Sequence, residues 1–179
     1  MIDTDTVAQA LRQATAEVFS TMLELEVQAG EPYLQRDVPG MSEGVIALIG
    51  MAGTWIGTGS LSMSATLACK LSSRLLLAEF TATGEAISEE VLDAVAELTN
   101  MILGNAKNTL EEQLGPMGLS IPTVIYGRNV TTRSVSDAQW VVVPFLCDQE
   151  RLEVRLCLAL SGQPQPVRHG YRPAHCLQF

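Results

Sequence analysis

The sequence predicts an α+β domain: a six-stranded, mainly antiparallel sheet packed by long helices, arranged as a pseudo-two-fold repeat of one helix plus three strands. Three observations predict it. Residues 4–24 and the segment from Ser88 to Leu114 carry apolar residues at helical steps. Runs rich in β-formers follow each of them. The overall order is helix, three strands, helix, then helix and three strands again.

The first helix is read from Val7, Leu11, Ala14, Val18 and Met22, spaced by three and four. Residues 26–37 are weakly strand-like, and Pro39-Gly40 marks a turn. Glu43 to Ile49 and Thr54 to Met63 read as strands, with Met51-Ala52-Gly53 connecting them. Residues 64–80 read as a helix ending near Thr83-Gly84. Ser88 is a good N-cap, and Glu89 and Glu90 suit the positive end of the helix dipole. Gly115-Pro116-Met117-Gly118 stops that helix. From Leu119 the chain turns to strand chemistry, with Ile121 to Tyr126 as one run. Trp140 to Phe145 and Leu152 to Leu158 form a hairpin around Asp148-Gln149-Glu150. In its second arm Glu153 and Arg155 alternate outward, and the first arm is uniformly apolar and so more buried. Residues 1–160 are read as the domain. Residues 161–179 hold three prolines and two histidines without periodicity, and read as a tail.

Composition narrows the function. Eleven Lys and Arg against twenty Asp and Glu give a net charge of −9, which speaks against a nucleic-acid partner. The start, Met1-Ile2-Asp3-Thr4-Asp5, has no signal-peptide pattern, and the most apolar stretch, Val45 to Trp55, is too short and Gly-rich to span a membrane. Cys69, Cys147, Cys157 and Cys176 form no C-x-x-C pair, so a reduced cytoplasmic protein is the simplest expectation.

The most informative stretch lies on the helix after Ser88. At about 100° per residue, Val91, Val95, Leu98, Thr99, Ile102 and Ala106 gather on one side as a core stripe. Asp93, Glu97, Asn100, Gly104 and Lys107 gather opposite. Such a stripe by itself reads as a solvated face. Yet Asn is a poor helix former and Gly a worse one, so something besides helix stability has chosen them.

Taken whole, the string D-x-x-x-E-x-x-N-x-x-x-G-N-x-K from Asp93 to Lys107 resembles the signature of the CheC/CheX/FliY family of chemotaxis phosphatases, and CheX most. The order of elements across residues 1 to about 160 agrees, including pseudo-symmetric halves. Ala16 to Leu23 aligns with Ala96 to Leu103, and Ser20 stands where a second site would need Asn. The resemblance therefore implies one site per chain, in a CheC/CheX-like fold.

It also implies the chemistry. The substrate would be a CheY-like response regulator carrying a phospho-aspartate, which itself supplies Mg²⁺ and a lysine; no cofactor is expected on this chain. The phosphatase need only hold one water in line. Asn100 would orient that water, since a carboxamide both accepts and donates while a carboxylate would repel the phosphoryl oxygens. Glu97 would pair with the regulator's lysine. Asp93 would add a polar partner contact or remain a solvated charge. Gly104 would admit close approach of the partner or serve helix packing within the chain. Asn105 and Lys107 are left unassigned. A homodimer is implied. The rival is a non-catalytic regulator-binding module related to flagellar switch proteins, which the intact Glu/Asn pair disfavours.

Other constellations carry less. His169, His175 and Cys176 fall in the tail and make no convincing metal site. Ser60, Ser62 and Ser64 read as strand edge or cap, and Gly57-Thr58-Gly59 lacks the rest of a phosphate-binding loop.

Overall fold

Helical periodicity and capping place the first element. Helix α1, Thr4–Met22, starts at Asp3, whose carboxylate accepts from the Asp5 N–H. Val7, Leu11, Ala14 and Val18 are buried as expected, but Met22 is exposed and Leu23 takes the buried place at the helix end. The computed structural model describes residues 3–36, 41–82, 87–130 and 139–162. The turn expected at Pro39-Gly40, and residues 163–179 of the tail with His169, His175 and Cys176, lie outside the described residues. The helix read over 64–80 ends earlier than expected, at Leu76, because Leu77 turns left-handed at φ 52° and caps it.

The weak strand over 26–37 resolves into two short ones, β1 (Gln28–Ala29) and β2 (Tyr33–Gln35). Next come β3 (Met41–Gly53) and β4 (Trp55–Met63). Strand β3 runs four residues beyond Ile49, so Met51-Ala52-Gly53 belongs to the strand rather than to a connection. Helix α2, Ala65–Leu76, is capped by Ser64, whose hydroxyl oxygen accepts from the Leu67 N–H at 3.0 Å and donates to Glu150 at 2.8 Å. Helix α3 runs Glu89–Leu114. Ser88 occupies its N-cap position without a side-chain cap bond. Its hydroxyl instead meets the Glu90 carboxylate, which its own backbone N–H and then Ser88 hold below the usual carboxyl range. Gly115 ends the helix at φ 82°, a left-handed conformation that glycine adopts without strain.

The second half repeats the strands: β5 (Met117–Leu119), β6 (Thr123–Val130), β7 (Trp140–Cys147) and β8 (Glu150–Leu160). The run expected over Ile121–Tyr126 is thus displaced, with Ile121 in the connection between β5 and β6. Asp148 and Gln149, both at positive φ, make the two-residue turn of the β7–β8 hairpin. Asp148 also pairs with Lys70 of α2.

All described strands join one antiparallel sheet in the order β1-β7-β8-β4-β3-β5, with β2 also on β7 and β6 also on β3. The eight described strands therefore fill six positions, each outer position being shared by two strands. Hairpins β3–β4 and β7–β8 meet through β4 and β8 at the centre. The outer strands cross over: β1 and β2 of the first half pair with β7 of the second, and β5 and β6 of the second pair with β3 of the first.

The helices pack on one sheet face. Val45, Ala47, Ile49, Leu61, Val143, Val154 and Leu156 meet Leu11, Val18, Leu67, Leu98, Ile102 and Leu103 in a single core. Each such fully buried Val, Leu or Ile side chain contributes about 1.5–3 kcal/mol. The glycines of Gly57-Thr58-Gly59 have their reason here. A Cβ on Gly57 would collide with the Cys157 carbonyl of β8; one on Gly59 would lie 3.0 Å from Leu103 Cδ2 and closer still to Cδ1. Gly59 thus lets α3 settle on the sheet.

The opposite face departs from expectation. Strand β7 is mostly buried as expected, but Arg155 of β8 is only 5 % exposed. Its guanidinium donates to Ser62 at 2.8 Å and pairs with Glu153. Glu153 also accepts from the Tyr33 hydroxyl at 3.0 Å. Ser60 and Ser62 are buried on the central strand β4, not on an edge, and only Ser64 acts as a cap. Cys69, Cys147 and Cys157 are free and buried, and burial pushes the Cys157 thiol up to about 11.

Candidate functional site

Helix α3 positions the site because its apolar stripe is clamped. Val91, Val95, Leu98, Thr99, Ile102 and Ala106 are all buried as the periodicity predicts, joined by Ala94, Leu103 and Leu110. The buried Thr99 hydroxyl donates to the Val95 carbonyl at 2.7 Å, so the core side of the helix is satisfied internally. With that side fixed, the opposite side must face outward at a set angle.

Asp93, Ala96, Glu97 and Asn100 form one wall of a cleft of about 290 Å³, and Leu119, Ser120, Ile121 and Pro122 form the other. Asp93, Glu97 and Asn100 are exposed, and their side chains make no hydrogen bond or ion pair with any described residue. Their polar atoms are therefore available to something outside the chain. Gly104, one turn beyond Asn100, is half-buried. A Cβ there would meet only Leu119 Cδ1, at an ordinary 3.8 Å. Packing within the chain thus leaves room for a Cβ at 104. Lys107 is accounted for by its ion pair with Glu111 at 2.8 Å. Glu111, held below the usual carboxyl range by Lys107 and by the Met117 N–H, helps to end the helix.

The second wall was not legible as part of a site. Ser120 is pinned to β3 twice: its N–H donates to the Gly50 carbonyl at 2.9 Å, and its hydroxyl oxygen accepts from the Gly50 N–H at 2.8 Å. The same hydroxyl donates to the Ile121 carbonyl at 3.0 Å. Ile121 itself is 89 % exposed. The only sequence signal was the serine before it and the proline after it, both turn formers.

A counterpart cleft of about 590 Å³ lies beside α1, where Gln13, Ala16, Glu17 and Ser20 face Leu25, Glu26, Val27 and Gln28. Residues 11–20 and 91–100 follow one burial pattern: Leu11 and Val91, Ala14 and Ala94, Thr15 and Val95, Val18 and Leu98, Phe19 and Thr99 are all buried. Glu17 and Ser20 thus occupy the places of Glu97 and Asn100. They differ in what they offer, because the Ser20 hydroxyl donates to the Glu17 carbonyl of its own helix at 3.0 Å. Among the described residues no three His, Cys, Asp or Glu side chains gather as a metal site. No described helix is long and apolar enough to cross a membrane.

Comparison with known proteins follows the same lines. The family profile described as chemotaxis phosphatase CheX matches residues 45–146. No curated protein matches the chain. Among solved structures, a putative chemotaxis protein from Desulfovibrio vulgaris Hildenborough is 31% identical with a TM-score of 0.72, covering 86% of this chain and 96% of that one. A CheC-like superfamily protein from Shewanella sp. PV-4 is 30% identical with a TM-score of 0.72, covering 86% and 97%. CheX from Borrelia burgdorferi, solved as a CheX-CheY-BeF3-Mg²⁺ complex, is 26% identical with a TM-score of 0.72, covering 88% and 99%.

Proposed function

This chain belongs to the family of the chemotaxis phosphatase CheX, and we propose that it hydrolyses the acyl phosphate of a CheY-like response regulator, using Asn100 to orient water and Glu97 to dock. The observation that carries the reading is the pair of uncommitted polar side chains, Glu97 and Asn100, one turn apart on a helix clamped to the sheet along its other side. The partner of the Borrelia relative supports the choice of partner.

The reaction asks little covalent chemistry of the phosphatase. A water oxygen bonds to phosphorus, the bond from phosphorus to the aspartyl oxygen breaks, and the carboxylate and inorganic phosphate leave. Mg²⁺ and a lysine on the regulator neutralise the phosphoryl oxygens. This chain supplies position. The Asn100 carbonyl oxygen accepts from the water and its NH₂ donates toward it or the phosphoryl group. Glu97 pairs with the regulator's lysine and sets the register of the helix. Asp93 and Gly104 extend the contact along the same side of α3. The proposal includes a cytoplasmic location and a homodimer with its clefts open to the regulator.

The test is a panel of phosphorylated CheY-like regulators with Mg²⁺, assayed for phosphate release with and without the chain. At least one regulator is expected to lose phosphate faster. No acceleration across the panel overturns the reading. Glu97→Gln separates docking from a solvated charge. We expect the variant to bind the regulator about tenfold more weakly, and its affinity to vary less with salt than that of the parent. Equal affinities with equal salt slopes would return Glu97 to the solvent.

A further inference from the structure

We propose that Ile121 is a docking anchor, an apolar knob that enters a hollow on the regulator beside its phosphorylated aspartate. This rests on the reading of the partner given above and adds to it a recognition element outside the helical motif.

An exposed isoleucine is ordinary when it stands on a loose loop. Ile121 does not. The connection from β5 to β6 leaves β3 after Leu119, which pairs with Met51, and rejoins it at Thr123, which pairs with Leu48. Between these points Ser120 fastens the loop to Gly50 through two hydrogen bonds and closes onto the Ile121 carbonyl with a third. Pro122 follows, restricting the backbone of the residue before it. β-Branching restricts the side chain as well. The apolar surface of Ile121 is therefore held out in one direction, and docking it orders little that is not already ordered.

Its place gives the partner. Ile121 is part of the wall that faces Glu97 and Asn100 across the cleft. A surface that fits both walls presents a cationic group to Glu97, a reacting centre to Asn100 and an apolar hollow to Ile121. The counterpart cleft supplies the contrast. Its loop wall offers Leu25 and Val27, both half-buried, and Ser20 in place of Asn100. The outstanding apolar residue accompanies the carboxamide and is missing from the wall where the carboxamide is missing.

The experiment compares Ile121→Ser, Ile121→Glu and Ile121→Leu in the full chain. Each replaces an exposed side chain, so thermal midpoints should match the parent. Steady-state dephosphorylation of the regulator should show KM raised about tenfold for serine, and more for glutamate, with kcat within about twofold. Leucine should restore KM to within about twofold of the parent. Affinity for the same regulator loaded with beryllium trifluoride and Mg²⁺ should follow KM. Parental KM and affinity in both the serine and glutamate variants would overturn the anchor. The underlying reading fails differently: there Asn100→Ala would keep full activity, whereas an inactive Asn100→Ala beside an unaffected Ile121→Ser retires the anchor alone.

Discussion

Asn100→Ala is expected to lower the accelerated rate of regulator dephosphorylation by on the order of 10²-fold or more, while affinity for the phosphorylated regulator stays near that of the parent. The substitution favours the helix, since alanine is the better helix former, so lost activity cannot be assigned to lost structure. The side chain is exposed and bonded to no described residue, so truncation strands no buried partner among them. What disappears is the group that would hold water in line. Asn100→Asp should be similarly inactive for another reason, because a carboxylate repels the phosphoryl oxygens. Ser20→Ala is the control, with the rate unchanged, because that hydroxyl is already spent on Glu17. A folded Asn100→Ala protein with the parental rate removes Asn100 from the chemistry.

Gly59→Val should produce a large loss of stability. The new side chain would enter the space of Leu103, which is fully buried and three residues along α3 from Asn100. Overpacking of a closed core costs about 3 kcal/mol. For a chain of this size that lowers the thermal midpoint by about 6–12 °C. Leu103→Ala in the same chain makes room, so the double variant should lose less than the two single losses together. Calorimetry or circular-dichroism melting reads both. A parental midpoint for Gly59→Val would show that α3 does not rest on β4 as described.

The sequence foretold what rests on period. The stripe from Val91 to Ala106 was legible because a helix repeats its face every 3.6 residues and the core demands apolar groups there. Asp93, Glu97, Asn100 and Gly104 then followed as its complement. Features that depend on a distant partner were hidden. Gly53 read as part of a connection, yet it lies in β3, and what it approaches is Pro116, far along the chain. Ile121 read as strand because β-branched residues usually pair; its exposure follows from the gap that β3 leaves between β5 and β6. Arg155 read as solvent-facing from alternation alone, and its burial depends on Ser62 and Glu153 beside it. Ser60 and Ser62 read as edge residues, because polarity is no guide to which strand lies central.

The crossing of the outer strands has a consequence for inheritance. Each half lends β1 and β2, or β5 and β6, to a strand of the other. A gene encoding one half alone would leave those strands unmatched unless two copies of its product clasped each other, and every substitution would then appear twice in the pair. Joined in one reading frame, the copies are free to diverge. One cleft can hold an asparagine and an outstanding isoleucine while its twin keeps a serine, and the molecule acquires two faces that separate selection can shape.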